Sequence, residues 1–130
     1  MSEDNITGIQ HIGLPVKDSA ETVAFYGKLG FVPAFETMNG SSKVVFLKKG
    51  NCVIETYEVQ DPALESGAWD HMALCVVDIE QAWQDIVVGL GCKCLDKEIR
   101  SLPFWEAGVR FFTIVGPNQE KIEFSQMLAL

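Results

Sequence analysis

Basic residues are scarce in this chain: ten Lys and Arg stand against eighteen Asp and Glu, a net charge of −8. Binding a nucleic-acid backbone requires neutralising phosphates with cations, so that class of partner is excluded. Long apolar runs are missing too. None approaches the roughly 20 residues of a membrane helix, and the opening MSEDNITG is acidic where a signal peptide would be basic and then apolar. A soluble, cytoplasmic protein with no membrane partner is expected. Cysteine is limited to Cys52, Cys75, Cys92 and Cys94. Without a secretory signature these read as reduced thiols, and Cys92-Lys93-Cys94 lacks the two-residue spacer and second pair of a zinc ribbon. Histidine occurs only twice, as His11 and His71. What is present is apolar content: 130 residues, 48% hydrophobic, suit one domain around one core, residues 1–130. Small molecules and other proteins remain as partners.

The chain contains an internal repeat. QHIGLPVKDSAETVAFYGKLGF (residues 10–31) aligns with DHMALCVVDIEQAWQDIVVGLGC (residues 70–92), placing His11 on His71, Asp18 on Asp78 and, after one inserted residue, Leu29-Gly30 on Leu90-Gly91. Later in each half, CVIETYE matches KIEFSQ and sets Glu55 on Glu123. Each copy predicts a strand (8–16 and 69–77), an Asp cap, an amphipathic helix ending at Leu-Gly, and three further strands. Those strands are expected at 32–37, 43–47 and 52–58 in the first copy, and at 93–99, 109–115 and 121–126 in the second. Turn chemistry separates them at Asn39-Gly40-Ser41-Ser42, Lys49-Gly50-Asn51 and Gly116-Pro117-Asn118. The modules therefore read β-α-β-β-β, module 1 over about 7–58 and module 2 over about 69–126, with residues 59–68 as linker.

Strand parity then sorts the unusual residues, because side chains alternate between two faces. Ile12, Leu14 and Ile54 share one face, and Met72, Leu74, Ile122 and Phe124 do so in the second copy. The opposite face collects His11, Glu55, His71 and Glu123. Any one of these is ordinarily a hydrogen-bonded or solvated structural residue. Together they differ, since the only two histidines occupy equivalent repeat positions and each is matched by a Glu in the closing strand of its module. Two imidazoles and two carboxylates form an N₂O₂ donor set suited to a divalent ion, Zn, Ni, Fe or Mn, and two carboxylates offset its charge. Cys75, four residues beyond His71, lies about 13 Å along the strand and is a poor fifth ligand.

These residues resemble the vicinal oxygen chelate superfamily, which includes glyoxalase I, bleomycin-resistance proteins, methylmalonyl-CoA epimerase and extradiol dioxygenases. The marks are IQHIGLPVKDSAETVAFYGKLGF, the repeat starting at WDHMALCVVD, and GPNQEKIEF before the last strand. The resemblance implies an α+β fold in which two βαβββ modules form a curved mixed sheet around a metal-binding cleft, with His11, Glu55, His71 and Glu123 as ligands. The His-Glu-His-Glu order looks most like bacterial glyoxalase I, or lactoylglutathione lyase. By resemblance, the reaction moves a proton between adjacent carbons of a chelated hemithioacetal through an enediolate, with Glu123 the first choice of base and Glu55 the second. A homodimer is also implied, with each cleft built within one chain or shared between two.

Other members of the superfamily stay open as alternatives. The epimerase branch usually has Gln where Glu55 stands. Ring-cleaving dioxygenases use two His and one Glu on iron, and Glu55 would crowd the position oxygen needs. A bleomycin-resistance type protein sequesters cationic drugs without a catalytic metal, and Tyr57, Trp69, Phe104 and Trp105 in an acidic chain suit that role. Substrate-binding residues are not identified: Arg100, Arg110 and Lys121 are candidate cations that match no motif. Phe104 and Trp105, in SLPFWEAG, read equally as a functional lid or as a packed loop or dimer contact.

Overall fold

The computed structural model describes residues 4–130. Its elements are β1 (Ile6–Val16), α1 (Ser19–Lys28), β2 (Val32–Asn39), β3 (Ser42–Lys49), β4 (Cys52–Glu58), β5 (His71–Val76), α2 (Ile79–Trp83), β6 (Lys93–Cys94), β7 (Arg100–Leu102), β8 (Val109–Val115) and β9 (Lys121–Met127). The protein is thus α+β, dominated by sheet, with two short helices. No helix among the described residues is long and apolar enough to cross a membrane. The contacts divide the chain into two compact units, residues 11–70 and residues 4–10 with 71–130.

In the first unit the strand order is β2-β3-β4-β1. The β2-β3-β4 meander is antiparallel, while β1 runs parallel to β4 in the register Ile12↔Ile54 and Gly13↔Glu55. The crossover from β1 uses α1, whose cap is the expected one: the Asp18 carboxylate accepts from the Glu21 N–H at 3.0 Å. Alternate residues Val45, Leu47 and Ile54 pack under this helix with Leu14, Val23, Tyr26 and Phe31. The other face of β3 is no less apolar, since Val44 and Phe46 are each 1% exposed. An unbroken Val44–Leu47 run is what a strand buried on both faces requires.

The second unit repeats the plan with β5-β9-β8, β5 parallel to β9 and β9 antiparallel to β8. Here Asp78 caps α2 by accepting from the Gln81 N–H at 3.1 Å. Two expectations need correction in this unit. The second helix is α-helical only over Ile79–Trp83; Gln84–Gly89 is π-helical, with the Leu90 N–H donating to the Asp85 carbonyl five residues back at 2.9 Å. This is where the inserted residue goes: the second copy has one more residue between its Asp cap and its Leu-Gly stop, and a widened turn absorbs it without moving either end.

The second correction concerns residues 93–99, expected as one strand. Only β6 pairs there, through Lys93↔Val115 and Cys94↔Ile114, before β7 resumes at Arg100↔Phe111. Asp96 causes the break, because its carboxylate accepts the Thr113 N–H at 2.8 Å and so takes the place of a backbone carbonyl in the ladder. Six residues then advance against three on β8, as in an enlarged bulge.

Residues 4–10 group with the second unit through Asn5, which is buried. Its Oδ1 accepts the N–H groups of Val77 and Asp78 at 2.9 and 2.7 Å, and its Nδ2 donates to the Asp78 carbonyl at 2.9 Å. All three side-chain bonds secure the entry to α2. At the far end of this unit, the Gly116-Pro117-Asn118 turn is closed by Glu120, whose carboxylate accepts the Asn118 N–H at 2.7 Å. Hydrogen bonds from its own backbone N–H, then from the Asn118 side chain and backbone, hold the Glu120 carboxyl below its usual range. That turn sets where β9 begins, and so where Glu123 falls.

The core of the second unit centres on Phe112, which is fully buried, edge-on to Trp83 at 5.2 Å and stacked on Phe124 at 5.3 Å. Phe112→Ala is expected to cost about 3–5 kcal/mol of stability, the usual range for deleting a buried ring. Urea denaturation should show the midpoint falling by that free energy divided by the slope, with the slope itself unchanged.

Candidate metal centre

Each unit brings one histidine and one glutamate together. In the first, His11 on β1 and Glu55 on β4 approach to 3.4 Å between Nε2 and Oε1; in the second, His71 on β5 and Glu123 on β9 approach to 3.6 Å between the same atoms. The local reason is the parallel register. Gly13 lies directly beside Glu55, and Ala73 directly beside Glu123. A small side chain at that place lets the histidine two residues earlier, on the same face, reach the carboxylate. The spacing His-x-small was visible in both copies, although its meaning depends on the register.

These groups are not solvated surface residues. His11 is 4% exposed, and the side chains of Glu55, His71 and Glu123 are 12%, 11% and 13% exposed. Burying imidazole and carboxylate together calls for compensation, which a shared cation would supply. Their separations fit one. Two ligand atoms each about 2.1 Å from an ion stand about 3.4 Å apart at the tetrahedral angle and about 3.0 Å at a right angle. Pairs at 3.4 and 3.6 Å therefore suit joint coordination better than a short charge-assisted hydrogen bond, which closes to roughly 2.7–2.9 Å.

The two pairs are not copies in their surroundings. Phe46 lies directly opposite Glu55 on β3 and packs edge-on against His11, with ring centroids 5.6 Å apart. The equivalent neighbour of Glu123 on β8 is Thr113. Sequence parity did not single out Phe46, since an unbroken apolar run carries no facial signal. Among the aromatic residues proposed for a binding surface, Phe104 is buried and thus a packing residue, while Trp69 is 48% exposed. Trp105 follows in a left-handed conformation with φ of 61°, a strained state for a large side chain. Cys75 sits two strand positions beyond Ala73, opposite Ser125 rather than Glu123.

Comparison with known proteins agrees with this plan. The profile of the glyoxalase/bleomycin resistance protein/dioxygenase superfamily matches residues 8–124. The uncharacterized protein YwbC of Bacillus subtilis (strain 168) is 30% identical over 127 residues, which span 91% of this chain and 96% of that protein. Among solved structures, methylmalonyl-CoA epimerase from Mycobacterium tuberculosis superposes with a TM-score of 0.77 at 19% identity, over 99% of this chain and 93% of its own. The Mn(II)-bound glyoxalase from Novosphingobium aromaticivorans gives 0.65 at 22% identity, over 94% of this chain and 39% of its own. At such identities the likeness is one of fold.

Proposed function

Because the chain belongs to the glyoxalase/bleomycin resistance protein/dioxygenase superfamily, we propose that it is a metal-dependent lyase of the glyoxalase I kind, in which His11, Glu55, His71 and Glu123 hold one divalent ion. The observation that carries this reading is the doubled pair: each unit holds one histidine within 3.6 Å of one glutamate on equivalent strands, all four side chains at most 13% exposed. A drug-sequestering protein needs no such duplication. When bound, a divalent ion there supplies Lewis acidity toward two vicinal substrate oxygens. The Mn(II)-bound glyoxalase of the same fold supports this chemistry by analogy.

The residues divide the remaining work. His11 is held by the Phe46 ring edge and Glu55 is hemmed by the same ring, so this pair is the fixed side of the site. Glu123 has the smaller Ala73 and Thr113 as its register partners on the neighbouring strands. With smaller neighbours than Glu55, Glu123 is the residue that would take a proton from one substrate carbon and return it to the next, which makes it the first choice of base.

Turnover is the test. The metal-reconstituted protein should consume the hemithioacetal of methylglyoxal with glutathione, followed by absorbance, and lose that activity on chelation. Activity with a different thiol in place of glutathione would keep the proton-transfer mechanism and revise the substrate. No turnover with any thiol would remove the lyase reading. Interconversion of an α-carbon epimer instead would favour the epimerase branch, whose fold the chain also shares.

A further inference from the structure

The cations Arg100, Arg110 and Lys121 have no place in the chemistry above; register puts Lys121 directly opposite His71, on the face of the metal pair, and separates the two arginines. Arg110 points away from the metal-pair face, since its guanidinium donates to Glu80 next to the start of α2 at 3.2 Å. Arg100 is placed differently. It lies directly opposite Phe111 across β7 and β8, and Phe111 lies directly opposite Ser125 across β8 and β9. Directly opposed residues share a face, and Ser125 shares the face of Glu123, two residues earlier. Arg100 therefore stands on the same face of this sheet as His71 and Glu123.

Its guanidinium is held there from two sides. The Arg100 fork lies over the Phe111 ring at 5.4 Å, a cation–π contact, while Nη1 faces an Asp96 oxygen at 3.6 Å. Asp96 is itself fixed, because its other oxygen accepts the Thr113 N–H. The Arg100 side chain is nonetheless 59% exposed. An ion pair of that length on an exposed group is weak and screened, so Asp96 orients the fork without exhausting its donors. An arginine ordered in advance loses less entropy when a planar anion docks, and its geometry favours a carboxylate.

We propose that Arg100 is the anion-binding residue of this face and that the substrate is an acid, whose chelating oxygens meet the His71–Glu123 pair while a carboxylate reaches Arg100. The inference rests on the metal reading and adds the residue that receives the substrate's carboxylate. Two interstrand spacings separate β9 from β7, about 10 Å between backbones, so the carboxylate belongs on a short chain rather than on the chelating carbons themselves.

A matched pair of probes tests it: pentanohydroxamate and glutaric acid monohydroxamate, which share a chelating head and chain length and differ in the terminal carboxylate. Calorimetry on the Mn²⁺-loaded protein at low ionic strength should show the acid binding about tenfold more tightly or better, the worth of one charge-assisted hydrogen bond. Arg100→Met should reduce that preference to less than about twofold while leaving pentanohydroxamate affinity unchanged. Equal binding of both probes to the unaltered protein overturns the anion site alone. A preference that survives Arg100→Met, or that vanishes in Lys121→Met instead, also overturns it. Failure of both probes to bind overturns the metal reading and the inference with it.

Discussion

Purified His71→Ala is expected to carry almost no divalent metal after reconstitution, where the unaltered chain carries close to one ion per site. The argument is one of donor count. Loss of even an outer-shell partner of a metal ligand typically weakens binding 10- to 100-fold, so deleting a direct imidazole ligand should weaken it at least about 100-fold. What remains, His11, Glu55 and Glu123, has an excess of carboxylate and one nitrogen, a set that favours harder ions and holds Zn²⁺ or Ni²⁺ poorly. Elemental analysis after gel filtration measures the stoichiometry, and competition with a chromophoric chelator measures the affinity. Circular dichroism separates this from misfolding, because His71 begins β5 and its loss removes no core side chain. Equal metal in the variant and the unaltered protein would exclude His71 as a ligand. Equal, negligible metal in both would sink the enzyme reading altogether.

Such a test could be designed from sequence because much of the site is a local property. Parity along a strand places His11 on the face opposite Ile12 and Leu14, and the repeat supplies His71 in the same relation, so the residues to mutate follow from counting by two. The Asp18 and Asp78 caps are equally local, each bonded to an N–H three residues on. What escaped the sequence depends on contacts between distant segments. The strand expected at 93–99 is broken by Asp96 bonding a backbone group on β8, and nothing within those residues announces the partner. The π-helical turn was visible only as an alignment offset of one residue, with no sign of whether a loop or the helix would take it up. Arg100 and Arg110 look alike in the sequence. Register alone sends one toward Phe111 and the other toward Glu80.

The same register supplies a reason to expect different roles for the two glutamates. Glu123→Gln is expected to lower turnover by about 10²- to 10⁴-fold, the range of a lost general base, while the protein retains much of its metal. The amide keeps a carbonyl oxygen for the ion but cannot accept the substrate's proton. Glu55→Gln, with the same ligand change, should cost clearly less. Both carboxylates lie 3.4 to 3.6 Å from a histidine and are comparably buried, so neither distance nor exposure distinguishes them. The neighbours do. Phe46, 1% exposed, fills the place beside Glu55 and packs against its partner imidazole, whereas the places beside Glu123 hold the smaller Thr113 and Ala73, the ground for expecting Glu123 to act as base. Solvent deuterium exchange into the product measures the proton's route directly: it should fall with turnover in Glu123→Gln and persist in Glu55→Gln. The reverse pattern would make Glu55 the base and assign Glu123 to the fixed side. Equal losses in both would point to two carboxylates sharing the proton, and Phe46→Ala, by freeing Glu55, should then raise the residual rate of Glu123→Gln.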